Sequence, residues 1–249
     1  MEKVFYEIFE ALPRQGPGDD LSTKKAFQKL SGLPANPVIL DIGCGSGSQT
    51  LALVRLTPGK ITALDNHAPF IKILEKKVRQ TDDATKIRCI LGDMAAMDFK
   101  KGSFDLIWSE GAAFCMGFSN AVMKWRPLLK SKRYLVVSEL VWFKKRVPAE
   151  IRKFFNENYP DIKYYRDHLP MMESAGFKII DTFPVPVESW WQNYYTPMER
   201  KIVELRPEYK GKDKEKAVFD SLQLEIEMFR KYSAYYGYYF YILQKAMLK

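Results

Sequence analysis

The stretch that decides the fold is Val38-Ile39-Leu40-Asp41-Ile42-Gly43-Cys44-Gly45-Ser46-Gly47. It begins with a short, continuous apolar run, which is typical of a strand buried on both faces of a parallel sheet. A glycine-rich turn follows, and a helix is predicted after it over about residues 48–56. Glycines at such a turn let the chain bend tightly and let a ligand approach the backbone without meeting Cβ atoms. The free N–H groups at the start of the helix are available to bind oxygen atoms.

Strands and helices alternate on the carboxyl-terminal side of this stretch. Apolar runs predict strands at about 60–64, 87–91, 104–108 and 134–138, with helices between them, and two later strands at 177–183 and 237–243. This rhythm is typical of an α/β, doubly wound sheet. We therefore predict seven mostly parallel strands in a Rossmann-like arrangement, with a helical, aromatic insertion before the last strand.

The chain divides into four segments on the same pattern. An amphipathic helix over 1–12, a Pro-Gly-rich break and a second helix from about 20 to 30, capped by Ser22 or Asp20, predict an amino-terminal helical cap. The predicted segments are the cap at 1–36, the ligand-binding α/β core at 37–184, an insertion or substrate subdomain at 185–236, and the last strand at 237–249.

Composition excludes several classes of protein. The 249 residues are 47% hydrophobic and 28% charged, the profile of a soluble globular chain with a real core. No apolar run approaches the roughly 18–20 residues that cross a bilayer, and acidic residues interrupt any signal-peptide pattern at the start, so membrane insertion is not expected. Three cysteines without C-x-x-C spacing argue against a disulfide scaffold and a zinc finger. A reducing, cytoplasmic location is the expectation.

The net charge of +9 comes from 39 Lys and Arg against 30 Asp and Glu. Such a field raises the local concentration of anionic partners. The basic residues are nevertheless scattered over predicted turns and helix ends, and no aromatic-basic platform accompanies them. This pattern favours a solvated surface over a nucleic-acid interface.

Three acidic residues mark the ends of successive predicted strands: Asp41, Asp65 and Asp93. A carboxylate at position 41 would repel the pyrophosphate of a dinucleotide but suits an ammonium group. Asp65 is placed to accept the ribose hydroxyls, as in Rossmann-type nucleoside recognition. Asp93 suits an adenine amino group, and the apolar Met94 suits the ring face. Together they predict one pocket at the carboxyl edge of the sheet, shaped for a nucleoside with an amino-acid arm.

These motifs resemble the class I S-adenosylmethionine-dependent methyltransferases. Residues 41–47, Asp65, Asp93-Met94 and 104–107 carry the resemblance, which covers about residues 37–140. Residues 107–112 and 235–238 further resemble a group of poorly characterised small-molecule methyltransferases. The resemblance implies S-adenosylmethionine as the cofactor, a small-molecule methyl acceptor and an antiparallel last strand. One departure is the run 130–133, Lys-Ser-Lys-Arg, where many relatives carry a Gly-Gly turn.

The resemblance also implies roles for individual residues. The methionine part would be held by Asp41, Gly43, Gly45 and Gly47; the ribose by Asp65, with Asn66 beside it; the adenine by Asp93 and Met94; and the sulfonium side would face Ser109 and Glu110.

Methyl transfer is an in-line displacement, so the protein mainly aligns the acceptor, and a nearby carboxylate can accept its proton. Glu110, after the fourth predicted strand, is the candidate base, with positioning as its equally weighted alternative. Glu139, after the fifth strand, is a second choice.

Other residues are candidates for the acceptor side. Arg14 and Gln15 could fold over the cofactor as a lid and bind a carboxylate, although a surface turn is an equal possibility. The aromatic residues Trp142, Trp190, Trp191, Tyr194 and Tyr195 could wall an acceptor pocket or cage a cation, with most of them expected in the core. His67 and His168 are isolated, so no metal site is predicted.

Two other functions remain open on the sequence. An RNA or protein methyltransferase would use the basic charge, and a non-catalytic S-adenosylmethionine-binding protein would share the cofactor motifs. An NAD-dependent oxidoreductase is disfavoured, because Asp41 precedes the turn and Ser48 replaces a third glycine.

Overall fold

A single mixed sheet organises the computed structural model, which describes residues 2–247. Its strands are β1 (Val38–Ile42), β2 (Lys60–Asp65), β3 (Ile87–Leu91), β4 (Phe104–Glu110), β5 (Leu129–Trp142), β6 (Lys163–Tyr164), β7 (Phe177–Pro184) and β8 (Tyr236–Lys245). The spatial order is β3-β2-β1-β4-β5-β8-β7. The first five strands are parallel, whereas β8 runs antiparallel to both neighbours. The predicted α/β, mostly parallel sheet is confirmed.

Ten α-helices accompany the sheet among the described residues. They are α1 (Glu2–Glu10), α2 (Asp20–Phe27), α3 (Ser48–Leu56), α4 (Ala68–Arg79), α5 (Phe118–Trp125), α6 (Ala149–Asn158), α7 (Leu169–Ser174), α8 (Val187–Trp190), α9 (Thr196–Leu205) and α10 (Asp213–Tyr232). A π-helical turn, Trp191–Tyr195, joins α8 to α9. Within residues 2–247, none of these helices combines the length and the apolar character that a bilayer crossing needs.

An eighth strand was not predicted. β5 is much longer than the predicted 134–138, and it continues beyond the point where Glu110, the last residue of β4, pairs with Ser138. The edge of β5 that this leaves open is taken by β6, in which Lys163 and Tyr164 pair with Val141 and Trp142. A strand of two residues is too short to show an alternation of apolar and polar residues, so β6 could not be predicted from the sequence.

The cap of α2 also differs from the prediction. Asp19, rather than Ser22 or Asp20, is the N-cap residue, and its carboxylate accepts the backbone N–H of Ser22 at 2.6 Å. The helix therefore begins with a charge-assisted cap that suits its positive end.

The departure at residues 130–133 coincides with a register shift between β4 and β5, and one of its residues takes the left-handed backbone that glycine favours. These residues belong to the amino-terminal part of β5, and Lys132 adopts a φ of +58°. Lys130 Nζ and Arg133 Nε lie 2.7 and 3.1 Å from the carboxylate oxygens of the buried Asp105. Burial alone would raise the pKa of Asp105, but the hydrogen bonds from Lys130 and the Val38 N–H lower it. The basic run thus neutralises a buried carboxylate next to β1.

The amino-terminal segment and the insertion share the core of the sheet. Val4 and Ile8 of α1 are fully buried in the cluster that also contains Trp108 of β4. α1 contacts α9 and α10, while Trp190 stacks on Phe229 with ring centroids 4.2 Å apart. Both segments therefore pack together on the sheet, beside the carboxyl ends of its parallel strands.

The crossovers reverse direction between β1 and β4, which are neighbours in space. β2 and β3 extend the sheet to one side of β1, and β5 extends it to the other side of β4. Open α/β sheets bind ligands at such a switch point, in the crevice beyond the strand ends.

Candidate functional site

A cleft opens at this switch point, and we term it the strand-end cleft. Its volume is about 480 Å³, within the usual range of small-molecule sites. Of the residues predicted to bind the cofactor, it is lined by Gly43, Gly45, Asp65, Asn66, Asp93 and Met94.

The glycine turn between β1 and α3 forms the floor of the cleft. Gly43 has a φ of +70°, and a Cβ added there would lie 2.3 Å from the Cβ of Ala112, which follows β4. Gly45 has a φ of +54°, and its Cβ would lie 2.7 Å from Oε1 of Gln15. Only glycine permits this backbone together with these close approaches.

Asp65, at the end of β2, is held in place by two backbone groups. Its Oδ2 accepts the N–H of Gly45 and its Oδ1 accepts the N–H of His67, both at 2.9 Å. A carboxylate has about four acceptor positions, so two remain for hydroxyl groups of a ligand. Asp93 lies exposed at the cleft, and its Oδ1 accepts the N–H of Ala95 at 2.8 Å.

Asp41, predicted to contact an ammonium group, lies beneath the cleft and is not part of its lining. The side chain is fully buried, and it accepts hydrogen bonds from Thr50 Oγ1 at 2.5 Å and Gln49 Nε2 at 3.3 Å. Burial raises the pKa of Asp41 to about 7, although these two hydrogen bonds oppose the shift. Gln49 itself lines the cleft, so Asp41 acts on this region through Gln49.

Two further predicted cofactor contacts also lie outside the cleft lining. Gly47 has a φ of +89°, and a Cβ there would meet Leu74 Cδ1 at 2.1 Å, so this glycine serves the packing of α3 on α4. Ser109 is fully buried within β4, and its Oγ has no hydrogen-bond partner among the described residues.

Glu110 lines the cleft, but both of its oxygens are occupied. Oε1 accepts Thr23 Oγ1 at 2.7 Å and the indole N–H of Trp108 at 2.8 Å, and Oε2 is paired with the guanidinium of Arg14. This carboxylate fastens Thr23 and Arg14 of the amino-terminal segment to the end of β4. The arrangement therefore favours the positioning alternative for Glu110 over the base.

Arg14 and Gln15 both line the cleft, and each is fastened to the core. The carboxylate that Arg14 binds here belongs to the protein, namely Glu110. Gln15 Oε1 accepts the backbone N–H of Ser46 in the glycine turn at 2.7 Å. These residues thus hold the amino-terminal segment over the cofactor side of the site, rather than in an acceptor pocket.

The chemistry of the cleft fits S-adenosylmethionine. The Arg, Lys and His side chains in its described lining are Arg14 and His67; Arg14 is paired with Glu110, and His67 Nε2 lies 2.8 Å from Glu10 Oε1. Among the described lining residues no basic group is therefore left for a phosphate. The acids Asp65 and Asp93, with the apolar Met94, instead suit hydroxyl groups, an amino group and a ring face.

A second cavity of about 240 Å³ adjoins the strand-end cleft, and we term it the aromatic cavity. Both have Pro17 and Phe114 in their walls. The remaining lining of the aromatic cavity comes from β5, α6, the insertion and β8: Leu140, Phe154, Phe155, Asn158, Tyr159, Trp190, Tyr194, Tyr195, Ser221, Glu225, Tyr236 and Tyr238.

The predicted aromatic residues divide between this cavity and the core. Tyr194, Tyr195 and Trp190 line the cavity. Trp142, predicted as a substrate contact, is not in the cavity lining; it packs edge-on against Phe155 at 5.1 Å between ring centroids. The cavity residues Tyr159 and Glu225 were missed, because no motif marks them. Tyr236 and Tyr238 belong to the run 235–238 that carried the resemblance, but no contact with the acceptor was predicted for them.

Glu139, the second-choice acid, lies behind the wall of the aromatic cavity. It is 1% exposed; its Oε1 accepts the hydroxyl of Tyr159 at 3.0 Å and the N–H of Leu140 at 2.9 Å. Its Oε2 is buried without a hydrogen-bond partner among the described residues. Burial raises the pKa of Glu139 to about 7 despite these bonds. Tyr159, which lines the cavity, connects this acid to its interior.

The histidines and cysteines form no further site. His168 is buried against Phe118, and burial lowers its pKa to about 4, so it stays neutral in the core. The three cysteines are free. Residues 2–247 contain no cluster of three or more His, Cys, Asp or Glu side chains that could hold a metal ion.

Comparison with known proteins agrees with this geometry. A family model described as a methyltransferase domain matches residues 39–132. The demethylmenaquinone methyltransferase of Lactiplantibacillus plantarum is 35% identical over 172 residues, which are 59% of this chain and 72% of that protein. The uncharacterized methyltransferase YodH of Bacillus subtilis is 23% identical over 230 residues, covering 92% and 93% of the two chains.

The fold is shared with solved methyltransferases. The crystal structure of an S-adenosylmethionine-dependent methyltransferase from Thiobacillus denitrificans, in complex with S-adenosylhomocysteine, matches with a TM-score of 0.83 at 18% identity over 98% of each chain. A sequence relationship that spans most of a methyltransferase, together with this fold, settles the family. The chain belongs to the class I S-adenosylmethionine-dependent methyltransferases, and S-adenosylmethionine is its cofactor.

Proposed function

We propose that the enzyme methylates a nitrogen or oxygen atom of a small molecule bound in the aromatic cavity. The observation that carries the proposal is the common wall of Pro17 and Phe114 between this cavity and the strand-end cleft. Tyr238 also lies at this boundary, since a Cβ at Gly111 of the cleft would come within 3.2 Å of its hydroxyl. An acceptor in one cavity is thereby adjacent to a cofactor in the other.

The cofactor is proposed to lie along the strand ends. Asp65 and Asn66 hold the ribose, Asp93 and Met94 the adenine, and the turn at Gly43 and Gly45 the methionine part. The free acceptor positions of Asp65 and the exposure of Asp93 support this placement.

Replacement of Asp65 with asparagine tests the cofactor placement. Charge-assisted hydrogen bonds contribute about 1.5–3 kcal/mol, so the Asp65→Asn variant is expected to bind S-adenosylhomocysteine about 10- to 100-fold more weakly in calorimetry. Asp98→Asn, an exposed acid outside the cleft lining, is the matched control and should bind normally. Unchanged affinity in Asp65→Asn would remove this residue from the ribose site.

Alignment is the main catalytic task proposed for the chain. S-adenosylmethionine supplies an activated methyl group, so the walls of the aromatic cavity have to hold the acceptor atom on the line of displacement. Correct placement of reacting atoms at about 3–3.5 Å contributes ~7–11 kcal/mol to catalysis. Pro17, Phe114 and Tyr238 also exclude water from the boundary.

Glu139, acting through Tyr159, is proposed as the proton acceptor in place of Glu110. As the acceptor atom forms its bond to the methyl carbon, its proton passes to the Tyr159 oxygen, and the Tyr159 proton passes to Glu139 Oε1. The hydrogen bond of 3.0 Å between these side chains supports the relay. A base with a pKa of about 7 is matched to neutral pH, whereas Glu110 is already paired with Arg14.

A small acceptor is favoured over RNA or protein by the shape of the site. The aromatic cavity is covered by α6, α10 and the π-helical turn, and its volume of about 240 Å³ suits a small molecule rather than an extended polymer. The free cysteines are consistent with the predicted cytoplasmic location. The segments 1–36 and 185–236 then serve as cap and substrate subdomain around the core at 37–184, with the last strand at 237–249.

An acceptor screen with methyl-labelled S-adenosylmethionine tests the proposed function. We expect turnover on small amines or hydroxyl compounds. Because a relative is named demethylmenaquinone methyltransferase, demethylmenaquinone belongs in the panel, and labelling at its ring carbon would contradict the N- or O-transfer proposed here. Turnover on RNA or protein alone, or cofactor binding without any turnover, would support the two competing functions.

A further inference from the structure

Glu225 places a carboxyl group in the mostly aromatic wall of the aromatic cavity. It extends from the middle of α10 into the cavity lining, and burial raises the pKa of its carboxyl group. Its Oε1 accepts the hydroxyl of Tyr195 at 3.0 Å. No salt bridge to Glu225 is found among the described residues, although the chain carries a net charge of +9. A carboxylate in such surroundings is costly unless a cation joins it.

The rest of the lining adds acceptors and π faces but no basic group. None of the described lining residues is Lys, Arg or His. The hydroxyl of Tyr236 is buried in this wall without a hydrogen-bond partner among the described residues. An anionic acceptor would therefore meet a carboxyl group and find no counterion, whereas an ammonium N–H would find the carboxyl oxygens of Glu225.

The aromatic rings of the lining form one contiguous, mutually packed group. Trp190 lies 5.4 Å from Tyr238 and 5.7 Å from Tyr195 between ring centroids, and Tyr194 lies 5.0 Å from Tyr195. The negative faces of such rings attract ammonium groups, most strongly where water is excluded.

We propose that the methyl acceptor carries a positively charged ammonium group, which is bound in the aromatic cavity by Glu225 and the surrounding rings. The inference deepens the proposed function and rests on it for the identity of the ligand as acceptor. It assigns Glu225 to recognition of the acceptor, and it separates that role from the proton-accepting pair of Glu139 and Tyr159.

The test measures binding of probes of matched shape to the protein saturated with S-adenosylhomocysteine. The probes are 2-phenylethylammonium, the neutral 2-phenylethanol and the anionic phenylacetate, and tryptophan fluorescence or calorimetry gives the affinities. We expect the ammonium probe to bind about 10- to 100-fold more tightly than the alcohol, and phenylacetate to bind more weakly than either.

Variants of α10 assign the preference to one side chain. Glu225→Gln is expected to reduce ammonium binding by about tenfold or more and to leave 2-phenylethanol binding unchanged. Glu227→Gln, an exposed acid on the same helix, should change neither. Thermal unfolding verifies that each variant is folded. If a variant does not fold, the comparison of the three probes on the unmodified protein still tests the inference.

Equal affinity for the ammonium and the alcohol, or full ammonium binding by a folded Glu225→Gln variant, would overturn the inference. These outcomes are distinct from failure of the proposed function. That function fails if the acceptor screen shows no small-molecule turnover, while the binding assay requires none.

Discussion

Glu139→Gln is expected to lower kcat by about 100-fold or more, because glutamine cannot accept the proton that Tyr159 releases. The hydrogen bond from the Tyr159 hydroxyl can still be made to the amide oxygen, so the wall of the aromatic cavity should keep its shape. The measurement is steady-state methyl transfer to whichever acceptor the screen identifies, under saturating S-adenosylmethionine.

The pH dependence of kcat distinguishes a base from a structural residue at position 139 better than the loss of rate alone. A base acts when deprotonated, so activity of the unmodified enzyme should fall as the pH drops through about 7, the pKa of Glu139. The contribution of Glu139 should be lost in Glu139→Gln, so the acidic limb becomes shallower and reports only the remaining buried acids, such as Asp41, whose pKa is also about 7. The neighbouring titratable groups, Tyr159 and Tyr238, have pKa values raised by burial and do not ionise in this range. Glu157→Gln, an exposed change on α6, is the control. A near-normal rate with the same limb in Glu139→Gln would rule out the relay.

Arg14→Met is expected to reduce the free energy of unfolding by about 3–5 kcal/mol, since it leaves Glu110 charged, buried and without its cation. The side chains of Arg14 and Glu110 are only 7% and 4% exposed. Denaturant unfolding measures the loss. The double variant Arg14→Met/Glu110→Gln should recover part of it, because the uncompensated charge is then removed.

A solvent-exposed ion pair gives the matched control. Arg55 Nη2 lies 2.6 Å from Asp20 Oδ2, but the two side chains are 59% and 56% exposed. Arg55→Met should therefore cost about 0–1 kcal/mol. A similarly small loss in Arg14→Met would show that the buried pair does not fasten the amino-terminal segment.

The grouping of residues in the strand-end cleft was predictable because its signals are local. Gly43, Gly45, Asp65 and Asp93 lie at strand ends, and a parallel sheet brings successive strand ends to one edge whatever the details of packing. The same reasoning placed Asp41 at this edge, where the structure has its side chain buried beneath the cleft. Nothing in a sequence pattern distinguishes a strand-end acid that faces the ligand from one that faces Thr50 within the fold.

The acceptor side was largely beyond prediction. Tyr159, Trp190, Glu225 and Tyr238 are far apart in sequence and meet only through packing of the insertion on the sheet. Position also could not decide between Glu110 and Glu139, since both were predicted at the ends of core strands, and only the structure shows that β5 continues past Glu139. The choice depends on partners contributed by distant segments, such as the guanidinium of Arg14.

The opposite directions of β5 and β8 have a practical consequence for experiments. Because β8 is antiparallel, its last residue, Lys245, lies at the sheet edge where the parallel strands begin, opposite the edge that carries both cavities. α1, in contrast, contributes Phe5 and Phe9 to the strand-end cleft. Affinity tags, fluorescent fusions or surface tethers are therefore best attached after β8, away from the strand-end cleft and the aromatic cavity.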